Sequence, residues 1–261
     1  MIIDYGIQQL TPYINWDYFF YAWGMQGKPQ EERLKLQTEA LDTLTELDSH
    51  YQVHAIFLIS DAHSEGDDIV LSDGRHIPLL RQQQAGSECL CLADFLHPKH
   101  DRIGLFATSA DIGLEEDFNH DSYKKMMVQL LADRLAEAAA EKMHESVRKT
   151  YWGYAPDERL TVHELHIERF QGIRPAVGYP SLPDTSLNFV LNELLDMRQI
   201  GIRLTQNGAM KPHASVSGLM ISHPKARYFS IGNIGNDQLN DYAHRRGLPV
   251  EMIRKFLSSN L

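Results

Sequence analysis

The chain has 261 residues, of which 43% are hydrophobic and 23% charged, an ordinary balance for a globular protein with a full core. Its formal net charge of −10 argues against nucleic-acid phosphates and against an anionic membrane surface as partners. No stretch approaches the roughly 20 apolar residues of a membrane span, and residues 1–5 lack the features of a signal peptide. Two cysteines do not make a disulfide framework, so we expect a cytoplasmic protein.

The first half of the chain mixes helix and strand patterns after an aromatic cluster at 16–23. Leucines at helical spacing among charges predict a helix over 30–48. Short apolar runs predict strands over 53–59 and 102–110, and Asp73-Gly74 predicts the turn of a hairpin spanning 67–80.

The second half opens with the strongest helix pattern, over 121–149, where five alanines would let another backbone pack closely. Further helices are predicted at 161–169, 186–198, 236–246 and 249–257, and strands at 214–222 and 227–231. Strands and helices alternate without a βαβ rhythm. The sequence therefore predicts an α+β fold rather than a doubly wound one.

Asp61-Ala62-His63-Ser64-Glu65-Gly66 spells Asp-x-His-x-x-Gly, the signature of corrinoid-binding modules, in which the His is the lower ligand of cobalamin. Such a module needs a βα crossover after this loop, whereas here a predicted hairpin follows. The chain also lacks the Gly-Gly that such modules carry further on. A polar turn is the favoured interpretation, and direct cobalamin binding through His63 is a less favoured hypothesis.

Thirteen histidines raise the question of a metal site. His163 with His166, and His97 with His100, do not reproduce the His-Glu-x-x-His spacing of zinc proteases. Cys89-Leu90-Cys91 has no second cysteine pair. We expect no bound metal.

Three carboxylates, Asp133, Glu137 and Glu141, lie four residues apart on the long predicted helix and so share one stripe. Like charges at this spacing repel by a few tenths of a kcal/mol per pair. The stripe is either an ordinary solvated face or a site for a cation.

Residues 172–180, which we call the ribbon, read Gly-Ile-Arg-Pro-Ala-Val-Gly-Tyr-Pro. Two prolines forbid helix, so Arg174 and Tyr179 stand on a stiff, extended segment. An arginine forks onto carboxylates, which suits a small carboxylated or planar ligand. The alternative is a rigid connector with a surface arginine.

Motifs along nearly the whole chain resemble the activation domain of cobalamin-dependent methionine synthase. The longer ones are Ala132-Asp133-Arg134-Leu135-Ala136-Glu137, Arg174-Pro175-Ala176-Val177-Gly178-Tyr179-Pro180 and Asp241-Tyr242-Ala243-His244-Arg245-Arg246-Gly247, and shorter ones span 13–16, 66–69, 91–95, 113–117, 151–156, 214–218 and 222–224. The resemblance implies a single C-shaped α+β domain over 1–261, with a twisted antiparallel sheet flanked by helices, that binds S-adenosylmethionine. In that family an electron from flavodoxin or another reductase, with a methyl group from S-adenosylmethionine, returns oxidised cob(II)alamin to methylcobalamin.

The resemblance also implies roles for individual residues. Arg174 would hold the methionine carboxylate of S-adenosylmethionine, and further contacts would come from Asn15, Glu137, Tyr228, Phe229 and the main chain at Ala176 and Gly178. Tyr179 would face the corrin ring, and Asp133 and Glu116 would meet the histidine displaced in the corrinoid module. Methyl transfer from a sulphonium needs in-line positioning rather than a base or a protein nucleophile, which agrees with the lack of a catalytic triad.

The sequence departs from the family at Asn15, where an aspartate is usual. Asn keeps an acceptor but loses the charge, which costs roughly 1 kcal/mol or more of ligand binding. The chain also carries no homocysteine, folate or corrinoid module. We therefore expect a reactivation subunit of a split methionine synthase that acts on a separate corrinoid methyltransferase protein. The alternative is a non-catalytic partner that docks on a corrinoid protein and stabilises one of its conformations.

Overall fold

A computed structural model describes residues 1–83 and 88–261. The predicted α+β class is confirmed, and the main sheet is antiparallel throughout. Its strands are β1 (Ile2–Gly6), β2 (Gln52–Glu65), β3 (Asp68–Leu71), β4 (His76–Pro78), β5 (Asp101–Ala110) and, after a separate pair formed by β6 (Arg203–Leu204) and β7 (Met210–Lys211), β8 (Ser215–Met220).

The helices flank this sheet, as predicted. They are α1 (Ile7–Leu10), α2 (Trp16–Ala22), α3 (Gln30–Leu47), α4 (Gly113–Glu116), α5 (Ser122–Ser146), α6 (Val162–His166), α7 (Leu187–Leu195), α8 (Asn236–Arg245) and α9 (Val250–Phe256). Shorter 3₁₀ turns connect several of them, and a π turn over Val147–Tyr151 extends α5.

The long strand β2 organises the sheet. β1 pairs with its first part, from Gln52 to Ile56, and β3 pairs with its last part, from Ala62 to Glu65. β5 pairs with β2 along the other edge, and β8 pairs with β5, so the order is β4-β3-β2-β5-β8. The sheet curls into an open half-barrel.

Alternation along the central strands buries both faces of the sheet. Val53, Ala55 and Phe57 of β2 join one hydrophobic core with α5 and the N-terminal helices. Leu105 and Ala107 of β5 belong to a second core, which α7 and the segment Leu92–Phe95 cover on the opposite face. This is the pattern expected of an antiparallel sheet covered on both sides.

Helix α5 lies against the first face. Asp121 caps it by accepting hydrogen bonds from the N–H groups of Tyr123 and Lys124, at 3.0 Å each. Alanines let the sheet approach closely, since the hydroxyl of Thr108 on β5 donates to the carbonyl of Ala136 at 2.9 Å. The predicted helix over 121–149 is thus confirmed, with its last turns widened into the π turn.

The last two helices, α8 and α9, form a third core together with Leu80, Ile231 and Ile234. A buried polar cluster ties them to the rest of the fold. Asp184 accepts hydrogen bonds from the hydroxyls of Ser186 and Tyr242, at 2.8 Å each. Both Asp184 and Tyr242 are fully buried, so this cluster fixes how α8 sits beside the segment that precedes α7.

Three predictions differ from the structure, and some short elements were not predicted. The strand predicted at 227–231 is wrong, because this segment forms no strand; the N–H of Ile231 donates instead to the carbonyl of Pro180 at 2.9 Å. The helix predicted at 161–169 ends at His166, and β1 was not predicted at all. The predicted polar turn at 61–66 is mostly strand: Asp61 and His63 belong to β2, and only Gly66 lies in the turn of the β2–β3 hairpin. That hairpin stands where a corrinoid module would need its βα crossover. That residues 1–261 form one domain stays a prediction.

Candidate functional site

The ribbon is held against the free edge of β8. The backbone N–H and carbonyl of Ile173 exchange hydrogen bonds with Ile221, Leu219 donates to the carbonyl of Pro175, and Val177 donates to the carbonyl of Ser217, all at 2.9 to 3.0 Å. The ribbon therefore acts as a further antiparallel strand. The interpretation as a mere connector is wrong.

Two glycines permit this close pairing. Gly172 has φ +84°, and a side chain on it would collide with the carbonyl oxygen of Ile221. A side chain on Gly218 of β8 would meet the carbonyl oxygen of Pro175 and would lie 2.9 Å from the Cα of Ala176. Both glycines are thus required where the ribbon and β8 approach each other.

A cavity of about 710 Å³ opens beside the ribbon, and this volume is usual for a ligand site. The ribbon and α5 form two of its walls. Residues of the α2 N-terminus, the 165–170 segment and the 228–229 segment also line it, as do Tyr13, Ser181 and Val216. Seven of the eight residues predicted to contact the ligand or to face the corrin ring line it: Asn15, Glu137, Arg174, Ala176, Tyr179, Tyr228 and Phe229. Gly178 does not, because its N–H turns away to the carbonyl of Leu182 at 2.8 Å.

Arg174 reaches into the cavity as one partner of an ion pair. Its Nη1 and Nη2 donate to Oε1 and Oε2 of Glu141 at 3.4 and 2.9 Å, and Nη1 also donates to Nδ1 of His144 at 3.0 Å. Within residues 1–83 and 88–261, no acceptor meets its Nε–H. Because a guanidinium can fork onto a carboxylate through Nε and Nη2 as well, that side remains for a ligand.

A buried hydrogen-bond network around His144 holds Arg174 in place. Nδ1 of the fully buried His144 also accepts a hydrogen bond from Arg148 at 2.8 Å. Burial, with the charges of Arg174 and Arg148, lowers the pKa of His144 well below its usual range, so its ring is neutral and Nδ1 is an acceptor. Arg148 is also fully buried and forks onto Glu158 at 2.6 and 2.8 Å.

A second ion pair crosses the cavity wall at Glu137. Arg134 forks onto it from one turn earlier in α5, at 2.9 and 3.3 Å, and the hydroxyl of Tyr179 donates to it at 3.5 Å. Burial raises the pKa of Glu137. The Arg134 guanidinium lies 5.9 Å from the ring centre of Tyr18, while Tyr179 stays 53% exposed at the rim.

Asn15 stands at the N-cap of α2. Its Oδ1 accepts from the N–H groups of Asp17 and Tyr18, at 3.2 and 3.5 Å, a role that needs an oxygen but no charge. An aspartate would fill the same role. The residue therefore has a structural task that the departure from the family leaves intact.

The ribbon and the 228–229 segment add a phenol and a free backbone N–H to the cavity wall. The hydroxyl of Tyr228 accepts the N–H of Arg174 at 2.9 Å, which joins the 228–229 segment to the ribbon. Among the described residues, the N–H of Ala176 meets no acceptor, and Ala176 lines the cavity. A ligand acceptor can therefore add to the outer edge of the ribbon there.

Asp133 and Glu116, the predicted contacts to a corrinoid partner, do not line the cavity. Asp133 lies 3.5 Å from Nδ1 of His213, and burial raises its pKa. Glu116 accepts from Nζ of Lys211 at 3.0 Å. Both partners have exposed side chains; Lys211 ends β7, and His213 lies on the segment that joins β7 to β8.

The acidic stripe of α5 is not a solvated face. Each carboxylate faces a base, with Asp133 beside His213, Glu137 beside Arg134 and Glu141 beside Arg174. Over residues 1–83 and 88–261, no group of three or more His, Cys, Asp or Glu side chains is placed to hold a metal ion.

Glu141, His144 and Glu168 were not predicted as site residues; Glu141 and Glu168 line the cavity, and His144 is buried behind Arg174. The spacing of Glu141 places it in the acidic stripe, but no local pattern indicates that it pairs with Arg174, 33 positions along the chain. His144 sits one turn beyond it, outside the four-residue spacing of the stripe, and carried no sequence signal. Glu168 carried no sequence signal; it has φ +58° and lines the cavity beside Arg174.

Among the described residues, no helix is both long and apolar enough to cross a membrane.

The family model described as vitamin B12 dependent methionine synthase, activation domain, matches residues 6–247. A solved structure, the MetH reactivation domain bound to AdoHcy, is 38% identical, with a TM-score of 0.94 over 100% of this chain and 90% of that chain. The fold and the match over nearly the whole chain agree with the predicted resemblance, so the chain belongs to the activation-domain family of vitamin B12-dependent methionine synthase.

Proposed function

We propose that the cavity binds S-adenosylmethionine, and that the protein thereby supports reductive reactivation of cobalamin on a separate corrinoid methyltransferase. Support comes from the solved relative, whose ligand AdoHcy (S-adenosylhomocysteine) is the demethylated form of this molecule. We propose that the reaction takes place in the cytoplasm, where flavodoxin or another reductase supplies the electron.

The observation that carries the proposal is the clamped guanidinium of Arg174. Glu141 and His144 hold its Nη1 side, while its Nε–H has no acceptor in the described chain. An arginine fixed in this way offers the α-carboxylate of an amino-acid ligand a ready fork and loses little side-chain entropy on binding.

Neighbouring groups suit the rest of such a ligand. The free N–H of Ala176 provides a donor, and the ring of Phe229 provides an apolar surface. Glu137 lies across the cavity as a carboxylate for a cationic group. Asn15 offers an amide where the family usually has a carboxylate.

When bound, S-adenosylmethionine supplies an activated methyl group, so the protein needs to orient it and keep water away rather than to provide a base. Tyr179 stands at the rim, where the corrin of a partner protein would approach. Asp133 and Glu116 would meet that partner's displaced histidine after exchanging their present contacts with His213 and Lys211.

Calorimetric titration with S-adenosylmethionine tests the binding step. Wild-type protein is expected to bind, and Arg174→Lys, which keeps the positive charge but loses the fork, is expected to bind at least tenfold more weakly. Arg198→Lys alters an exposed arginine away from the cavity and is the matched control. No binding by the wild type, or equal binding by Arg174→Lys, would refute the proposal.

Reactivation is tested by mixing the chain with a cob(II)alamin-loaded corrinoid protein, a reductant and S-adenosylmethionine, and following the cobalamin absorbance. Methylation that requires this chain supports the reactivation role. A complex that forms with the same affinity with or without S-adenosylmethionine, and yields no methylation, would favour the non-catalytic docking partner.

A further inference from the structure

The cavity wall carries more negative than positive charge. Its cationic groups are the guanidiniums of Arg134 and Arg174, each paired with its own carboxylate on α5. The imidazole of His166 also lines it, with Nε2 bonded to the carbonyl of Tyr13 at 3.0 Å. The carboxylate that remains is that of Glu168, for which the described residues offer no hydrogen-bond or ion-pair partner.

The backbone holds Glu168 in an unfavourable conformation. The residue follows the end of α6 with φ +58°, its N–H donates to Leu165 at 3.0 Å, and the N–H of Arg169 donates to Glu164 at 3.0 Å. These bonds form a Schellman motif, whose left-handed position is usually taken by glycine or asparagine. A glutamate is a poor choice there for the backbone alone, and such exceptions cluster at ligand sites.

We infer that Glu168 makes the cavity select the sulphonium S-adenosylmethionine over the thioether S-adenosylhomocysteine; this inference rests on the proposed function. S-adenosylmethionine carries a net charge of +1, because its sulphonium and ammonium outweigh its carboxylate. S-adenosylhomocysteine is neutral overall. One unpaired carboxylate in the cavity wall attracts the first and gains nothing net from the second.

This selection has a functional consequence. Methyl transfer removes the positive charge from the ligand, so the product loses the attraction to Glu168 that the substrate had. The same residue therefore favours loading of the methyl donor and release of the demethylated product, without any movement of the protein.

The test compares the dissociation constants of S-adenosylmethionine and S-adenosylhomocysteine by calorimetry at low salt. Glu168→Gln is expected to lower the preference for S-adenosylmethionine three- to tenfold, mainly by weakening binding of that ligand. Glu168→Asp keeps the charge and is expected to retain most of the preference. Glu168→Gly suits the left-handed backbone but removes the carboxylate, so it should behave like Glu168→Gln. Glu65→Gln, an exposed glutamate of β2 outside the cavity wall, is the matched control.

Salt separates a charge effect from a structural one. The wild-type preference is expected to fall as ionic strength rises, whereas that of Glu168→Gln should not change. If the wild type binds both ligands and Glu168→Gln leaves their ratio unchanged, this inference fails while the proposed function stands. If the wild type binds neither ligand, the proposed function itself fails.

Discussion

Arg174 and Glu141 form a two-armed ion pair between the ribbon and α5, at 2.9 and 3.4 Å, although they lie 33 positions apart in the sequence. Their side chains are only 15% and 10% exposed. The pair couples the ligand-binding ribbon to the helix that packs on the sheet. Its integrity therefore matters both to stability and to the geometry of the cavity.

Glu141→Ala is expected to lower the free energy of unfolding by about 3 kcal/mol or more, because it leaves the largely buried Arg174 without its partner. Urea denaturation followed by circular dichroism measures this. Glu251→Ala breaks an exposed pair with Arg254 and should cost less than about 1 kcal/mol. Equal losses in the two variants would contradict the structural role assigned to Glu141.

Asn15→Asp restores the residue that is usual in the family. The new carboxylate keeps the N-cap acceptor of α2 and adds a negative charge to the cavity, so binding of S-adenosylmethionine is expected to tighten severalfold. Calorimetry checks the affinity, and thermal unfolding checks that the helix cap is retained. Asn15→Ala, which removes the cap, should instead lose about 1 kcal/mol of stability. Weaker binding by Asn15→Asp would argue against a cationic ligand at this wall.

Gly218→Ala is expected to separate the ribbon from β8, because the new methyl group meets the Pro175 carbonyl and lies 2.9 Å from Cα of Ala176. We expect both a lower unfolding midpoint and loss of S-adenosylmethionine binding. Gly247→Ala also adds a methyl group, but into open space at a position with φ +63°. This variant should lower the free energy of unfolding by roughly 1 kcal/mol, because of its backbone conformation alone, and should leave ligand binding unchanged. Normal binding by Gly218→Ala would show that the ribbon tolerates displacement.

His54 predicts a pH dependence of stability. It bridges Asp4 of β1 and Asp111 beyond β5, at 2.6 and 3.0 Å; burial alone would lower its pKa, but the two carboxylates outweigh burial and raise it. A raised folded pKa means that the contribution is complete below the unfolded value of about 6.5 and is lost as pH rises through the folded pKa.

Urea unfolding between pH 6 and pH 9 is therefore expected to show a decline in stability that His54→Gln flattens. His163→Gln, which replaces an exposed histidine of α6, should leave the decline as in the wild type. If the decline in stability with pH persists in His54→Gln, other titrating groups cause it.

Local patterns predicted most of the fold. Helix α5 and the β3–β4 hairpin follow from apolar spacing and from Asp73-Gly74, which act within a few residues. The polar residues Asp61 to Glu65 looked like a loop because their strand character comes from pairing with β3 and β5, which no local window contains. The opposite error occurred at 227–231, where a strand was predicted and none forms. The apolar residues there serve the packing of Phe229 on two cores rather than strand pairing.

In the site, too, local patterns predicted some residues, and contacts between distant elements determined the others. The ribbon was visible from its prolines and Arg174, and the resemblance supplied Glu137, Tyr228 and Asn15. Tertiary contacts alone show that Glu141 and His144 clamp Arg174, and that Glu168 turns toward the cavity in a left-handed conformation. These properties depend on elements that are distant in sequence.

The pairing of the ribbon with β8 also bears on association between molecules. Without the ribbon, β8 would expose a row of unpaired backbone groups, and such an edge is a template for joining another sheet. The outer side of the ribbon is a poorer template, because two of its N–H groups are already bonded, that of Arg174 to the hydroxyl of Tyr228 and that of Gly178 to the carbonyl of Leu182. Variants that loosen the ribbon are therefore expected to lose solubility along with ligand affinity, through sheet-to-sheet aggregation.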